Sequence, residues 1–355
     1  MIEFFNVKKQ YQQDREAYLD LADLVYSSGQ VINGEYCRRL ETSLKQRTGR
    51  KYCVLTASCT DALAFTGWAT CQGTDKVALF PNLSFPATDN GFLREIKSTC
   101  VVGYVDTDHN GNIDLDRLEE IFNDIDERFK IYVVWVNLFG HVADYDKIFK
   151  LKMQYPNVEF VEDAAQSFGG SWRNFYSGGL GYASTISFDP TKNLNAFGIG
   201  GALLADNREL IDAVDLHRRP HTASWINHGY NSQINEIDAA MVWWKLENRF
   251  DQWQQRRSEI AEYYINNLNV ECIKPAAECT SAWHKFVIKH ENRDRLKQNL
   301  EDSGIQTRVH YKETLAKSHT PIAQSLTKQC LSLPIYPELT DNEVETIVNE
   351  INRLV

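Results

Sequence analysis

The sequence predicts an α/β protein in which a large domain with a mostly parallel mixed sheet spans residues 1–245 and a smaller α+β domain spans residues 246–355. Three observations support this prediction. The 355 residues are too many for one small core. Short apolar runs alternate with helical periodicity as far as residue 205, which is typical of strands joined by helices. Beyond that point the alternation ends, and a long helical region begins near residue 235.

Two helices are predicted before the first strand. Tyr18, Leu21 and Val25 recur at helical spacing within residues 13–28, and a second helix reaches about Thr48, where Gly49 can end it. Parallel sheets bind ligands beyond the carboxyl ends of their strands, so function is expected at that edge. The strand candidates are residues 52–55, 77–80, 101–105, 131–136, 158–162, 182–188 and 201–205, and the helices between them cover residues 61–71, 87–96, 145–154 and a segment from about 115.

The last third of the chain has fewer strands. A helical pattern over residues 235–268 includes Trp243 and Trp244, and strand candidates follow at residues 283–288 and 307–311. Thr340, with Glu343 three residues later, forms a capping-box pattern that predicts the start of the last helix. The aromatic residues around Trp243 suit either a dimer interface or a core between the domains.

The composition excludes several classes of partner. The net charge of −10 and the pI near 5.5 disfavour binding to nucleic acid. The eight cysteines form no C-x-x-C pair and no zinc-finger spacing, so we expect reduced thiols, no metal and a cytoplasmic location. The N-terminus lacks the apolar segment of a secretory signal, and no run of about 18 apolar residues predicts a membrane span.

Lys192 and Asp163 are the candidate catalytic residues. Asp163 follows the strand candidate 158–162, and Lys192 follows the next one along the chain, so neighbouring strands can bring both side chains to one pocket. A pyridoxal phosphate enzyme needs a lysine that holds the cofactor as a Schiff base and a carboxylate that keeps its ring nitrogen protonated. Taken alone, such a lysine is more often a solvated surface charge, and such an aspartate is equally often a helix cap.

An anion site is predicted where residues 56–63 (TASCTDAL) follow a strand and open a helix. Backbone N–H groups and the helix dipole favour a phosphate there, and the Ser58 hydroxyl can donate a further hydrogen bond. Ser187 offers another hydroxyl beside the lysine loop, and Phe85 follows a strand where it can stack on a flat ring. An ordinary serine cap and a core phenylalanine are the alternatives. For residues 217–221 (HRRPH) a solvated loop is favoured over a diphosphate site.

Six motifs, in order along nearly the whole chain, resemble those of the DegT/StrS-type sugar aminotransferases. This family consists of pyridoxal phosphate enzymes with the aspartate-aminotransferase-like fold, fold type I. The segment with the lysine is similar to the family's S-F-x-P-T-K-N-L, and the segment with Asp163 to its E-D-A-A-Q-S-x-G. The motifs are residues 58–63 (SCTDAL), 162–170 (EDAAQSFGG), 187–194 (SFDPTKNL), 229–240 (GYNSQINEIDAA), 310–312 (HYK) and 331–335 (LSLPI).

The resemblance implies a role for each matching residue. Lys192 would carry the cofactor and move the proton, and Asp163 would hold the pyridine nitrogen. Gln166 would lie near the ring hydroxyl, and Phe85 would stack on the ring. The remaining expectations are that Ser58, Cys59 and Ser187 bind the phosphate, that Asn231 or Gln233 reaches the phosphate of a neighbouring subunit, and that His284, Lys285 and His310 lie near the sugar.

The resemblance also implies an activity. Such an enzyme moves an amino group from glutamate, which leaves as 2-oxoglutarate, to a keto sugar on a nucleoside diphosphate, and it works as a homodimer with shared active sites. The chain departs from the family pattern at Cys59 (usually glycine), Gln233 (usually arginine), Lys312 (usually proline) and residues 198–201 (GIGG, usually G-D-G-G). None of these changes removes a group that the chemistry requires.

Three alternatives differ in their key residues. Sugar dehydratases of the same family have histidine in place of the lysine, whereas Lys192 is present here. A regulatory or binding protein that has lost catalysis would not need the set Lys192, Asp163 and Gln166. A nicotinamide-dependent enzyme would show G-x-G-x-x-G after its first strand, and this chain does not.

Overall fold

The computed structural model describes residues 1–71, 73, 75–96, 99–219 and 229–355. Its strands in chain order are β1 (Tyr52–Thr56), β2 (Lys76–Pro81), β3 (Val101–Val105), β4 (Lys130–Val136), β5 (Val158–Asp163), β6 (Ser171–Trp172), β7 (Phe175–Tyr176), β8 (Ala183–Ser187), β9 (Gly201–Ala205), β10 (Glu271–Cys272), β11 (Cys279–Thr280), β12 (Phe286–Lys289) and β13 (Cys330–Leu333).

The helices cover both faces of the main sheet and much of the C-terminal third. They are α1 (Val7–Gln13), α2 (Arg15–Ser28), α3 (Glu35–Thr48), α4 (Cys59–Thr70), α5 (Ala87–Phe92), α6 (Leu115–Asp124), α7 (Tyr145–Gln154), α8 (Arg208–His217), α9 (Glu236–Asn248), α10 (Phe250–Asn267), α11 (Arg293–Asp302), α12 (Pro321–Gln329) and α13 (Asp341–Leu354), with a short 3₁₀ turn at Leu138–Gly140.

The main sheet has the strand order β1-β9-β8-β5-β4-β2-β3. The pairs β2·β3, β2·β4, β4·β5 and β5·β8 are parallel, and β9 pairs antiparallel with both β8 and β1. The predicted α/β class with a mostly parallel mixed sheet is therefore confirmed. Asp163, the last residue of β5, is in register with Thr185 of β8, so the ends of these two strands meet at one edge.

The N-terminal helices pack on α9 rather than on the sheet alone. Tyr18, Leu21 and Val25 of α2 form one cluster with Ala240 and Met241, which explains their helical spacing in the sequence. The aromatic residues of α9 also pack within the chain: the Trp244 ring lies 5.3 Å from that of Tyr18, and the Trp243 ring lies 5.5 Å from that of Tyr36.

The C-terminal part has its own sheet, in the order β10-β12-β13, and its own apolar core. Helices α10, α11 and α13 contribute residues to this core, and Ile288 and Leu331 face each other across the sheet. The predicted capping box is confirmed, because Thr340 and Glu343 exchange hydrogen bonds at the start of α13. Residue 245, the last of the predicted large domain, lies inside α9.

Four predictions of secondary structure were wrong. The helix over residues 235–268 is two helices, because Arg249 leaves the helical conformation (φ −131°) and its guanidinium pairs with Asp14. Residues 307–311 form no strand and make a single bridge, Arg308 to Ser332, since Tyr311 is held by Gln166 of the large sheet's edge. The strand candidate 283–288 begins only at Phe286, and the helix 87–96 already ends at Phe92.

The described ranges also give information on thiols, membrane spans and metal ligands. All eight cysteines are free there. No helix in this part of the chain is long and apolar enough to cross a bilayer. No group of three or more potential metal ligands is found among the same residues.

Replacing Ile288 with alanine tests whether the C-terminal core carries stability. Ile288 is fully buried on the central strand β12. We expect Ile288→Ala to lower the free energy of unfolding by about 2–5 kcal/mol, from the lost transfer energy and the cavity left behind. Urea unfolding measures the change. The control Met153→Ala, at a position that is 82% exposed, should shift it by less than about 0.5 kcal/mol; equal effects of the two variants would contradict the assignment.

Candidate active site

The carboxylate of Asp163 is buried at the end of β5. Its side chain is 4% exposed and accepts hydrogen bonds from the Thr88 hydroxyl (2.8 Å) and the Ala165 backbone N–H (3.1 Å). Burial raises the pKa of Asp163, and the two hydrogen bonds and the charge of Lys192 act in the opposite direction. The predicted position of Asp163 at the ligand edge of the sheet is confirmed. Thr88 was not predicted, and nothing in its sequence pattern marks it.

Glu162, one residue earlier, is buried without any direct ion pair in the described residues. A buried carboxylate needs several donors to offset the loss of water. These donors come from the residue that follows β4, from α7, from β8 and from the loop after β7, so Glu162 joins four parts of the large domain behind Asp163. They are the side chains of Asn137, Tyr145, Ser177 and Ser184 and the backbone N–H of Gly178.

Lys192 lies in the loop that follows β8. The loop is closed by backbone hydrogen bonds of Phe188 with Ala196 (2.8 Å) and Gly200 (2.9 Å). The Lys192 amine has no hydrogen bond or ion pair with any residue that the structure describes, although its charge lowers the pKa of Asp163. Lys192 and Asp163 therefore share one cleft. Ser187, at the end of β8, is buried and accepts a hydrogen bond from the Asp189 backbone N–H (3.3 Å).

The turn that opens α4 reaches the same cleft. Ser58 is the N-cap and accepts a hydrogen bond from the Asp61 backbone N–H (3.1 Å). Cys59 is the first helical residue, so its Cβ is accommodated without strain, and its Sγ lies 4.0 Å from the Asp163 carboxylate. Burial, followed by the charge of Asp163, raises the pKa of Cys59. Gly201 packs against this turn so closely that a Cβ there would collide with the backbone of Ser58 and Cys59.

The segment with Asn231 and Gln233 lies beside this turn. Ser232 is the residue that makes the contact: its hydroxyl accepts from the Ala57 backbone N–H (3.1 Å) and donates to the Asp61 carboxylate (2.6 Å). Asn231 is exposed, and the Gln233 side chain accepts a hydrogen bond from Asn33. Within the described residues, neither Asn231 nor Gln233 hydrogen-bonds to the Lys192 cleft of its own chain.

Phe85 and Gln166 differ in how they are held. The Phe85 ring is 57% exposed and makes no ring contact within the described ranges, while the Phe85 carbonyl accepts from the Thr88 N–H (3.0 Å). Gln166 is buried, accepts a hydrogen bond from the Phe139 backbone N–H (3.0 Å) and donates one to the Tyr311 hydroxyl (2.9 Å). Gln166 thus ties the cleft to the fifth of the six motifs, HYK at 310–312.

The three residues expected near the sugar all lie within electrostatic reach of Lys192. His310 accepts or donates one hydrogen bond with Ser332 (2.9 Å), and His284 makes one with Asn193 (3.3 Å). Burial, followed by the charges of Lys285 and Lys192, lowers the pKa of His310 to about 2. The pKa of His284 is also lowered, by burial first and then by the same two charges. Both imidazoles are therefore neutral near pH 7.

Lys245 is a residue of the site region that sequence reasoning missed. It is fully buried in α9, and its ammonium donates hydrogen bonds to the Asn195 carbonyl (2.9 Å) and side chain (3.3 Å) and to Gln10 (3.1 Å). The ammonium also lies 3.9 Å from the centre of the Phe197 ring. Lys245 thereby fastens the loop of Lys192 to the N-terminal helices. A lysine inside an apolar helical pattern was the available signal.

The basic segment 217–221 is only partly described, since residues 220 and 221 lie outside the described ranges. His217 stacks on Trp68 at 3.8 Å and contacts the Glu95 carboxylate (3.1 Å), and Arg218 pairs with Asp215 (2.6 Å). The described part of the segment is thus packed and paired within the chain rather than a fully solvated loop.

A family model, the DegT/DnrJ/EryC1/StrS aminotransferase family, matches residues 12–352. The chain belongs to this family. Pyridoxal phosphate is the family's cofactor. Among curated proteins, the chain is 29% identical to the UDP-2-acetamido-2-deoxy-3-oxo-D-glucuronate aminotransferase of Pseudomonas aeruginosa, over 98% of each chain.

Solved structures of aminotransferases support the same fold. DesV of S. venezuelae, in complex with a ketimine intermediate, superposes with a TM-score of 0.91 at 25% identity and covers 99% of this chain and 98% of its own. NtdA of Bacillus subtilis with bound cofactor PMP gives a TM-score of 0.83 at 26% identity, over 96% of this chain and 82% of its own. The predicted fold type I of the aminotransferases is therefore confirmed.

The residues of the cleft suit the cofactor of this family. Asp163 offers a carboxylate, and Lys192 offers an amine that no described residue binds. The start of α4, with Gly201 packed against it, exposes backbone N–H groups where a phosphate is favoured. Phe85 leaves one ring face uncovered by other rings of the described chain. In the same order, these groups match the protonated ring nitrogen, the aldehyde, the phosphate and the flat ring of pyridoxal phosphate.

Replacing Lys245 with methionine should change how stability depends on pH. Burial lowers the pKa of Lys245 from 10.5 to about 7. Between these values the unfolded chain binds a proton here and the folded chain does not, so folding becomes more favourable as the pH rises and this gain is absent below pH 7. Relative to Lys245→Met, we expect the wild-type protein to gain up to about 1.4 kcal/mol of unfolding free energy per pH unit in this window.

Urea unfolding between about pH 6 and about pH 10 measures this difference. Lys274→Met removes an exposed lysine and serves as the control; its curve should run parallel to that of the wild-type protein. Parallel curves for Lys245→Met would show that Lys245 does not lose its proton in this range.

Proposed function

We propose that the protein transfers an amino group from glutamate to a keto sugar carried on a nucleoside diphosphate, and so forms an amino sugar for a surface polysaccharide or a natural product. One observation carries this proposal. The buried Asp163 carboxylate and the Lys192 amine, which no described residue binds, lie in the same cleft. A regulatory protein or a sugar dehydratase would not need both groups. The names of relatives, such as the glucuronate aminotransferase of Pseudomonas aeruginosa, support a nucleotide-linked sugar as acceptor.

The side chains of the cleft have distinct tasks in this proposal. Bound pyridoxal phosphate supplies an electron sink that stabilises negative charge at the carbon bearing the amino group. Asp163 keeps the ring nitrogen protonated, and its burial makes that interaction strong. Lys192 would hold the cofactor and, with its amine free, would move a proton from the donor's α-carbon to the cofactor.

The remaining candidate residues position the cofactor and the substrate. Ser58, Cys59 and Ser187 bind the phosphate, Phe85 stacks on the ring, and Gln166 uses its second amide N–H toward the ring hydroxyl. His284, Lys285 and His310 line the sugar side. We further propose a homodimer in which Asn231 or Gln233 contacts the phosphate held by the neighbouring subunit. The exposure of Asn231 and Phe85 supports a shared site of this kind.

Replacing Lys192 tests the central assignment. The wild-type protein, incubated with pyridoxal phosphate and dialysed, should show a visible absorption band of bound cofactor, and borohydride reduction should add the cofactor's mass to the peptide that contains Lys192. Lys192→Ala should lose both the covalent attachment and turnover. Lys274→Ala, at an exposed lysine, serves as the control and should keep both. Attachment at another lysine, or turnover by Lys192→Ala, would refute the role of Lys192.

Replacing Asp163 with asparagine tests the ring-nitrogen contact. Asparagine keeps the shape of the side chain but removes the negative charge, so the rate of amino transfer should fall at least about a hundredfold. Cofactor should also be lost faster on dialysis. Asp251→Asn, at an exposed position, serves as the control and should leave the rate unchanged. An unchanged rate for Asp163→Asn would assign the ring nitrogen to another group.

A further inference from the structure

Residues 282–285 form a wall of the cleft that is fixed directly to the lysine loop. Asn193, the neighbour of Lys192, donates a hydrogen bond to the Ala282 carbonyl (2.6 Å), and its side-chain oxygen contacts Nδ1 of His284 (3.3 Å). On the other side, the Lys285 backbone N–H donates to the Phe139 carbonyl (3.1 Å). The backbone under His284 and Lys285 is therefore held on both sides, and Lys285 is placed where its charge acts on Lys192 and His310.

Lys285 differs from the other buried cations of this region in having no partner. It is 7% exposed, and its ammonium makes no hydrogen bond or ion pair with any described residue. Arg257, equally buried, donates to the carbonyls of Trp283 (3.2 Å) and Ile335 (2.6 Å), and Lys245 has three acceptors. An ammonium buried without an acceptor costs several kcal/mol. Burial, followed by the charges of Lys192 and Arg257, lowers the pKa of Lys285 well below the usual value for lysine, and Asp189 acts in the opposite direction. A carboxylate bound beside Lys285 would favour its ammonium form.

His284 adds a second buried polar atom without a partner. Its Nε2 is buried and hydrogen-bonds to nothing that the structure describes. Because the Asn193 amide nitrogen already donates to Ala282 and Gln254, its oxygen faces Nδ1 of His284, which must be the donor. In a neutral imidazole the other nitrogen is then an acceptor. The wall thus presents a lysine amine that lacks an anionic partner and, on the adjacent residue, an acceptor that lacks a donor.

We propose that Lys285 and His284 form a subsite for a substrate carboxylate with a neighbouring hydroxyl or amine: the Lys285 ammonium binds the carboxylate, and Nε2 of His284 accepts a hydrogen bond from the neighbouring group. This inference rests on the proposed aminotransferase function and narrows its substrate class. Two substrates have the required chemistry. One is the amino-acid donor, with its carboxylate beside its amine, and the other is a sugar acid, with its carboxylate beside a ring hydroxyl.

Equilibrium binding to the cofactor-loaded protein tests the subsite without requiring turnover. The probes are glutarate, a dicarboxylate that cannot donate an amino group, and the pair UDP-glucuronate and UDP-glucose, which differ in one carboxylate. Titration calorimetry compares the wild-type protein with Lys285→Met, which keeps the length of the side chain but not its charge. Lys285→Arg restores the charge, and Lys274→Met, at an exposed lysine of the same region, is the matched control.

We expect Lys285→Met to weaken the binding of a carboxylate probe about ten- to a hundredfold, as for the loss of a charged hydrogen bond. A loss confined to glutarate assigns the subsite to the amino donor. A loss of the preference for UDP-glucuronate over UDP-glucose assigns it to a sugar acid. Lys285→Arg should recover most of the affinity, which also shows that the variants are folded, and Lys274→Met should bind like the wild-type protein.

Two results would overturn the proposal. Unchanged affinity for all three probes in Lys285→Met would show that the ammonium binds no substrate anion. Equal weakening of UDP-glucuronate and UDP-glucose, with glutarate unaffected, would place Lys285 against the diphosphate instead of a carboxylate. Both results are distinct from a failure of the proposed function, which would appear as missing attachment of the cofactor to Lys192 while Lys285-dependent binding of carboxylates remained.

Discussion

Two consecutive carboxylates are buried at the end of β5, and the need to keep both from water organises the middle of the molecule. Glu162 takes its hydrogen bonds from four parts of the large domain, so it is fully satisfied and structural. Asp163 receives only two protein donors closer than 3.5 Å in the described chain and remains able to bind another positively charged group. The same strand end therefore supplies both a structural carboxylate and the carboxylate that we propose for the cofactor.

The cleft brings charged and neutral titratable groups close to Lys192. The charge of Lys192 acts on the Asp163 carboxylate and also on Lys285 and the two neutral histidines, His284 and His310. The chain as a whole has a net charge of −10, so the composition does not predict that Lys192 and Lys285 lie close together. This arrangement suits a reaction in which anionic substrates must approach a lysine that has to become neutral to work.

Features set by nearby residues could be predicted from the sequence. The strand ending at Asp163, the caps at Asp114 and Asp144 and the capping box of α13 all follow from local patterns. The contacts of Ser232 with Ala57, of Lys245 with Asn195 and of Tyr311 with Gln166 could not, because they join residues 50 to 175 positions apart. Likewise, no periodicity signals that Arg249 interrupts a helix, since the cause is a distant aspartate.

The hydrogen bonds of Asn193 have a consequence for how the enzyme is made. Lys192 is synthesised about 90 residues before Ala282 and His284, the groups that fix its neighbour. During synthesis the β5–β8 edge can be complete while the loop of Lys192 still lacks the backbone against which it is oriented. The Lys192 loop is therefore fully positioned only after the C-terminal part of the chain has folded. A partly synthesised chain therefore contains Lys192 but lacks the residues against which its loop packs.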